Sequence, residues 1–177
     1  VATTSRNWQS DGISTSGVYV LGTKGNKLKL VGQVEGLAKN EDIYSARFMG
    51  DRGYVVTFER IDPLFTLDLS DPTQPKVAGE LKIPGFSTYI HPLGKNHLLT
   101  IGQDTFDNGD WVSIEGVQVQ IFDVSDISKP MLKHKYTHSG SSEALYNHKA
   151  FNYFAEHGLL AIPMQEHGGW DVGPIEP

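Results

Sequence analysis

The chain has 177 residues, of which 15 are Lys or Arg, 21 are Asp or Glu and none is Cys. Counted without the 7 Tyr and with the 19 Gly, about 45% of the residues are apolar, an ordinary globular value that argues against intrinsic disorder. The formal net charge of −6 argues against nucleic-acid binding and against an anionic membrane surface. No apolar run is long enough to span a membrane, so we expect no membrane insertion by this segment, and the polar first residues do not resemble a signal peptide. Without cysteine, disulfides, thiol nucleophiles and Cys-based metal sites are excluded.

Short apolar segments separated by Gly and Pro follow one another along the chain, which is typical of an all-β protein. Residues 37–43 contain Ala, Lys and Glu and could form one helical turn before a strand at residues 44–49. Residues 54–56 are uniformly apolar, which predicts a strand covered on both faces. Phe and Leu alternate with polar residues at 65–70, which predicts a strand with one buried face.

The second half of the chain continues the pattern of short strands. Residues 98–101 and 159–162 are uniformly apolar and predict strands covered on both faces, whereas residues 117–122 alternate and predict one buried face. Residues 146–154 place aromatic and Ala side chains at helical spacing, which competes with the all-β interpretation. We predict a strand only at residues 149–154.

An internal repeat organises these strands. The pattern D-[LV]-S-D-x-x-x-P occurs at residues 68–75 and again at 123–130. Strands related to one another lie at residues 52–57, 96–101 and 157–162. The unit is about 45 residues long before insertions, close to the length of a four-stranded propeller blade. The sequence therefore predicts part of a β-propeller with four-stranded antiparallel blades. The approximate units are 1–50, 51–94 and 95–156, and residues 157–177 begin the next blade. An insertion at about residues 104–116 lengthens the unit 95–156.

The repeated turn has a local physical reason. Asp71 and Asp126 are each placed to accept a hydrogen bond from the backbone N–H two residues later, which closes an Asx turn. Pro75 and Pro130 then fix the backbone and lack an N–H where the outer strand begins, which an edge strand tolerates. Turn formation explains these aspartates without a ligand.

Several longer segments carry a family resemblance. They are EDIYSARFMGDRGYVVTF at 41–58, DPLF at 62–65, DLSDP at 68–72, GELKIPGF at 79–86, IHPL at 90–93 and SEALYNHKAF at 142–151. Together they make the chain resemble, from about Gly17 to Pro163, bacterial and archaeal secreted proteins with a C-terminal β-propeller domain that is distantly similar to WD40 proteins. The resemblance implies a propeller fold and an extracellular or cell-surface location. The family has no established enzymatic activity to carry over, so the resemblance leaves the function open.

The resemblance also implies that the chain is part of a larger ring. About three blade units and one additional strand fall short of the four to eight blades of closed propellers. Three open blades would expose unpaired strand edges and apolar sheet faces. We therefore expect the ring to be completed by missing sequence or by a second copy of the chain.

The insertion is the clearest candidate for a ligand site. Compared with the calcium-loop pattern D-x-[DN]-x-[DN]-G-x5-E, it matches at Asp104, Asn108, Gly109 and Glu115 and fails at Phe106. Asp107 or Asp110 could supply the missing oxygen ligand, which predicts a calcium site without the flanking helices of an EF-hand. A solvated hairpin loop rich in turn-forming residues is the alternative.

Two other sets of residues are candidates for binding. Trp8, Trp111 and Trp170 lie in segments rich in Gly, Asp or Ser, where exposed indoles could stack on sugar rings or anchor a protein partner. The alternative is that they cover the ends of blades. A three-histidine metal site is conceivable among His134, His138, His148, His157 and His167, although their spacing matches no known zinc motif.

Two functional hypotheses follow from these observations. The first is a non-catalytic extracellular scaffold that binds a protein or polysaccharide through loops on one propeller face, with calcium as a stabilising ion. The second is part of a propeller hydrolase or lyase with its site at the central channel. The sequence contains no G-x-S-x-G elbow and no phosphate-binding loop, so no catalytic residue is assigned.

Overall fold

The computed structural model describes residues 1–6, 14–58 and 62–166. These residues form thirteen β-strands and two short 3₁₀ helices, Glu143–Leu145 and His148–Ala150. No helix within the described ranges is long and apolar enough to cross a membrane. The predicted all-β fold class is confirmed.

The strands form four antiparallel sheets in which neighbours along the chain are neighbours in the sheet. The first sheet contains β1 (Ala2–Arg6), β2 (Ser14–Lys24) and β3 (Lys27–Lys39), and the second contains β4 (Asp42–Met49), β5 (Arg52–Phe58), β6 (Asp62–Asp68) and β7 (Lys76–Ile83). The third contains β8 (Phe86–Leu93), β9 (His97–Asp107), β10 (Val112–Asp123) and β11 (Met131–His138), and the fourth pairs β12 (Asn152–Phe154) with β13 (Leu159–Ala161). The predicted four-stranded antiparallel blades are confirmed, in a partial propeller whose described sheets do not close a ring.

The sheets begin about one strand earlier than the repeat units of the sequence. The second and third sheets start at Asp42 and Phe86, whereas the units start at 51 and 95. The second strand of each of these two sheets has five consecutive buried residues, because it is covered on both faces and paired on both edges. Its apolar run is therefore the strongest sequence signal and sets the apparent start of the unit.

Three apolar clusters lie between successive sheets and hold them face to face. One includes Val18 and Phe65 between the first and second sheets, and another includes Tyr54 and Phe122 between the second and third. The last includes Ile101 with residues of the two 3₁₀ helices. The predicted two-sided burial of residues 54–56 and 98–101 follows from this stacking.

Three local predictions were wrong. Residues 37–43 form no helical turn, because β3 continues to Lys39 and a tight link with positive φ at Ala38 and Asn40 leads directly into β4. Within 149–154, only Asn152–Phe154 is a strand, because the Asn147 side chain accepts from the Lys149 N–H at 3.1 Å and starts the second 3₁₀ helix. Residues 159–162 are not covered on both faces as predicted. Leu159 is 59% exposed, because its strand belongs to a two-stranded sheet and no described sheet stacks on that face.

The Asx turns are confirmed. The Asp71 carboxylate accepts from the Thr73 N–H at 2.9 Å, and the Asp126 carboxylate accepts from the Ser128 N–H at the same distance. Each turn also packs against a glycine in the outer strand of the preceding sheet. A Cβ at Gly32 would lie 2.4 Å from the Pro72 carbonyl oxygen, and a Cβ at Gly79 would lie 2.6 Å from that of Ile127. The repeated turn therefore joins neighbouring sheets, and the contact requires a glycine at the facing position of the outer strand.

Candidate functional site

A cleft opens at the end of the sheets where the β3–β4, β7–β8 and β9–β10 connections lie. We call this end of the sheets the loop face. The Asx turns lie at the opposite edge, because they connect β6 to β7 and β10 to β11. The cleft has a volume of about 700 Å³. It is lined by Tyr44, Phe58, Phe86, Thr88, Gln103, Thr105, Val112, Ile114, Leu145 and Tyr146.

Two β-bulges aim side chains toward this cleft. The register of β4 on β5 skips Tyr44, and the register of β8 on β9 skips Thr88 at the equivalent position of the next sheet. A bulge leaves one residue unpaired and turns its side chain away from the regular alternation. Both skipped residues line the cleft. The repeated backbone irregularity thus positions two of the lining residues.

A cluster of three aromatic rings forms one wall. The Tyr44 and Phe58 ring centroids are 5.6 Å apart, those of Tyr44 and Phe86 are 4.8 Å apart, and those of Phe58 and Phe86 are 4.5 Å apart. Gly102 makes this packing possible, because a Cβ there would lie 1.7 Å from the Phe86 carbonyl oxygen. The wall is largely rigid at Phe86, which is 6% exposed, and open to solvent at Tyr44, which is 45% exposed.

The other wall is the end of the β9–β10 hairpin, which we call the arm (residues 104–116). β8 pairs with β9 no further than Gln103, and β11 pairs with β10 no earlier than Val117, so the described strands of the arm pair only with each other. The arm exposes three large apolar side chains to 56–58%: Phe106, Trp111 and Ile114. Three exposed apolar side chains are unusual for a hairpin end whose described strands pair only with each other.

Hydrogen bonds from its own side chains stabilise the tip of the arm. The Asp107 carboxylate accepts from the Gly109 N–H at 2.8 Å, and the Asn108 side-chain oxygen accepts from the Trp111 N–H at 2.9 Å. Gly109 has φ of 94°, which favours glycine at that turn. The tip is therefore built for a tight turn, as the hairpin alternative in the sequence predicted.

The structure places the five predicted calcium ligands in this arm without gathering them into a cluster. Asp104 pairs with the Lys135 ammonium at 2.6 Å, Glu115 accepts from the Ser113 hydroxyl, and Asp107 and Asn108 cap the tip with Asp110 exposed beside them. Among the described residues, no group of three or more His, Asp or Glu side chains could hold a metal ion. The calcium site stays a prediction.

The predicted tryptophan and histidine sites have different outcomes. Trp111 lies on the arm and is 56% exposed, whereas Trp8, Trp170 and His167 lie outside the described residues. The described histidines form no metal-binding group. His91 instead contacts the rings of Phe151 and Tyr153, and burial, followed by the nearby Arg47 charge, lowers its pKa below the ordinary value.

Sequence reasoning missed most of the cleft. Tyr44, Phe58 and Phe86 are ends of ordinary strands in the sequence, and Tyr146 belongs to a segment with helical spacing. The only available signal is in the repeat, where the position of Gly102 in the third sheet is occupied by Phe58 in the second. That change from aromatic to glycine marks the place where Phe86 approaches β9.

Two buried amides lie between the second and third sheets, away from the lining of the cleft. Gln118 and Gln120 are each 1% exposed on β10, and neither side chain has a hydrogen-bond partner among the described residues. They lie on the β10 face that also carries Phe122, which packs against the second sheet. An unpaired buried amide costs free energy, so these residues weaken the stacking that the apolar side chains provide.

Comparison with known proteins gives the family. A model of the β-propeller domain matches residues 1–174. The chain is 42% identical over 153 residues to an uncharacterized protein of Archaeoglobus fulgidus, covering 85% of this chain and 23% of that protein. It is 39% identical over 168 residues to an uncharacterized protein of Methanocaldococcus jannaschii, covering 94% of this chain and 25% of that protein. The chain thus spans about a quarter of the length of the curated relatives it matches. With its four-stranded sheets and its repeated inter-sheet turns, the chain belongs to the β-propeller domain family.

Proposed function

We propose that this domain is a non-catalytic binding module that takes a protein or polysaccharide partner at the loop face. The observation that carries the proposal is the cleft, where exposed Tyr44, Ile114 and Tyr146 surround a concavity of about 700 Å³. Concave sites lined by aromatic side chains and a few polar groups are the usual form of a ligand site. The neighbouring arm also exposes the apolar side chains of Phe106 and Trp111.

The chemistry of the lining supports binding over catalysis. Its polar members, apart from the Tyr hydroxyls, are Thr88, Gln103 and Thr105, and the described lining contains no carboxylate or imidazole. A hydrolase or lyase needs a positioned acid, base or nucleophile with a suitable pKa. The described residues of the cleft offer hydrogen bonds and apolar contact, which are sufficient for recognition.

The experiment compares the intact protein with the double variant Ile114→Ser/Tyr146→Ala. Both proteins are exposed to a display library of random twelve-residue peptides and to an array of oligosaccharides. We expect one class of ligand to be retained by the wild type and lost by the variant. Leu28→Ser/Phe154→Ala is the matched control, since it removes side chains that are 67% and 52% exposed elsewhere. Retention that is identical in all three proteins would overturn the proposal.

Export is part of the proposal. We place the protein outside the cell or at its surface, on the strength of the resemblance to secreted propeller proteins. Protease treatment of intact cells is the test, because an exported domain is cleaved and an internal one is protected. Full protection with cleavage only after lysis would contradict export.

Completion of the ring is also a proposal. A second, apolar groove of about 330 Å³ lies beside the fourth sheet and is lined by Val117, Val119, Tyr136, His138, Leu160, Ile162 and Met164. We propose that a further blade of the ring covers it, supplied by additional sequence of the same protein or by a second copy. Sedimentation of the 177-residue chain separates the two sources, because a second copy requires a dimer.

Calcium is proposed as a stabilising ion at the arm, where Asp104, Asp107, Asn108, Asp110 and Glu115 supply oxygen atoms. Calorimetry of the intact protein with calcium, compared with Asp104→Ala, tests this. Heat that is lost in the variant supports the site, and two identical traces would remove it.

A further inference from the structure

Resting on the proposed binding function, we infer that the cleft and arm take a protein segment that carries positive charges beside an aromatic or branched aliphatic side chain. This names the partner class of the loop face and makes polysaccharide the competing result of the test. Three features of the described residues lead to it: the charge of the rim, the packing of the aromatic wall and the open edges of the arm.

The segments beside the cleft, which we call its rim, carry acidic residues that the cleft lining itself lacks. The arm contains four acidic residues and no Lys or Arg, and Glu143 stands beside Tyr146 on the other side. Only Asp104 among these acids forms an ion pair with a described residue, namely Lys135. Asp107, Asp110, Glu115 and Glu143 are therefore free of a cationic side chain within the described ranges. Such a rim attracts a cationic segment and repels an acidic one.

The aromatic wall suits an inserted side chain better than a sugar ring. Tyr44 meets Phe58 and Phe86 at interplanar angles of 80° and 61°, so the rings contact each other edge to face. In an edge-to-face contact the edge of one ring covers the face of the other, so these rings present less open face for stacking a sugar than a lone exposed ring does. Ile114 and Leu145 complete an apolar pocket around the same opening.

The arm also offers backbone groups to an extended segment. Because β8 ends its pairing at Gln103 and β11 begins its pairing at Val117, each described strand of the arm has one edge without a ladder partner. Unpaired edges of this kind accept an added strand, with alternate side chains of that strand entering neighbouring pockets. The partner is therefore expected to bind as an extended peptide.

The test selects a phage-displayed library of random twelve-residue peptides on the intact protein and counter-selects on Ile114→Ser/Tyr146→Ala. We expect the enriched peptides to be net positive and to contain an aromatic or branched aliphatic residue. Their affinity, measured by fluorescence anisotropy, should fall about tenfold in the counter-selection variant, as expected for anchor contacts. It should also fall severalfold between 50 and 300 mM NaCl, because salt screens exposed charges.

The charge contribution is isolated by Asp110→Asn/Glu115→Gln, which keeps the shape of both side chains. We expect it to weaken the enriched peptides about threefold, the scale of exposed charge pairs. Asp51→Asn/Glu156→Gln is the control, since it makes the same change in net charge at the turns of the opposite edge. Equal weakening by both double variants would overturn a local role of the rim.

Each remaining result is decisive. If the peptides that require the cleft are neutral or acidic, the inference about positive charge is overturned, and the domain is a peptide-binding module without that charge preference. Cleft-dependent retention of oligosaccharides without any enriched peptide would overturn the partner class and leave the proposed binding function. No cleft-dependent ligand of either kind would overturn both.

Discussion

The second sheet (β4–β7) and the third sheet (β8–β11) are built on the same plan. Both have a bulge early in the first strand, at Tyr44 and at Thr88. Both have another where the third strand pairs with the fourth, after Thr66 and after Ile121. Both close an Asx turn that packs against a glycine in the preceding sheet. The first pair of bulges positions Tyr44 and Thr88 in the cleft lining, and the other shared features serve the pairing of strands or the stacking of sheets.

The two sheets differ at the loop face. β5 ends at Phe58, whereas β9 continues through Gly102 into the arm. In the stacking interface, the position of buried Phe65 in the second sheet is taken by Gln120 in the third. The third sheet therefore gives up apolar packing and adds an exposed projection beside the cleft. What the two sheets share explains the fold, and what distinguishes the third sheet accounts for one wall of the candidate site.

The shared turn should give the largest effect on stability. A Cβ at Gly79 meets the carbonyl oxygens of Ile127 and Ser128 at 2.6 and 2.9 Å, and backbone atoms cannot move aside. We expect Gly79→Ala to lower the free energy of unfolding by about 3 kcal/mol, measured by denaturant titration. In Gly22→Ala the nearest atom is the end of the Val31 side chain, so that control should cost little. Equal losses would show that the turn does not join the sheets.

The buried amide should give the next effect, with the opposite sign. Gln120→Leu makes the third sheet resemble the second, where apolar Phe65 faces the preceding sheet. Removing an unpaired buried amide should raise the free energy of unfolding by about 1 kcal/mol. Exposed Gln33→Leu on β3 is the control and should leave stability nearly unchanged. A loss of stability in Gln120→Leu would show that the amide is satisfied in solution.

Shortening the arm should separate function from stability. Replacing residues 105–115 by a two-residue turn gives the third sheet the outline of the second. Because the arm strands pair only with each other in the described structure, we expect unfolding free energy to change by less than about 1 kcal/mol. Ligand retention at the cleft should be lost. A large loss of stability, seen by thermal unfolding, would mean that the arm supports the fold.

The smallest expected effect is a similar pH dependence of stability from Asp68 and Asp123, which precede the two Asx turns. The Ser70 hydroxyl and N–H lower the pKa of Asp68 from 3.8 to about 2, and the Ser125 hydroxyl and N–H lower that of Asp123. A carboxyl whose pKa is lower in the folded state contributes stability above about pH 4, and that contribution is lost as pH falls toward 2. Asp68→Asn and Asp123→Asn should therefore each flatten the acid end of the stability curve. If only one variant flattened the stability curve at acid pH, the two aspartates would not have equivalent roles in the two sheets.

The sequence predicted the strands and turns because their signals are local. Asp71 and Asp126 close turns over two residues, and the apolar runs of β5 and β9 report burial on both faces. The alternation at 117–122 was misleading in one respect, since Gln118 and Gln120 are polar and nevertheless buried. Polarity predicts exposure only where no neighbouring sheet covers the face.

The cleft could not be predicted in this way. Its lining comes from strand ends such as Tyr44 and Phe86 and from Tyr146 at the end of a 3₁₀ helix, which are far apart in the sequence. Their proximity depends on how the sheets stack and on bulges that no residue pattern announces. The sequence identified the arm as an insertion, and its acidic residues suggested a calcium site. They did not indicate that the arm forms a wall of the cleft and exposes apolar side chains.

By itself, the sequence determined the all-β class, the repeat and the turns that join one sheet to the next. Hydrophobic periodicity and Asx-turn chemistry act over a few residues, so they can be read along the chain. The tertiary structure alone decided that Tyr44, Phe58 and Phe86 meet, and that the arm stands open beside them. The reason is geometric, because the stacking of sheets fixes distances between strand ends that local propensities leave free.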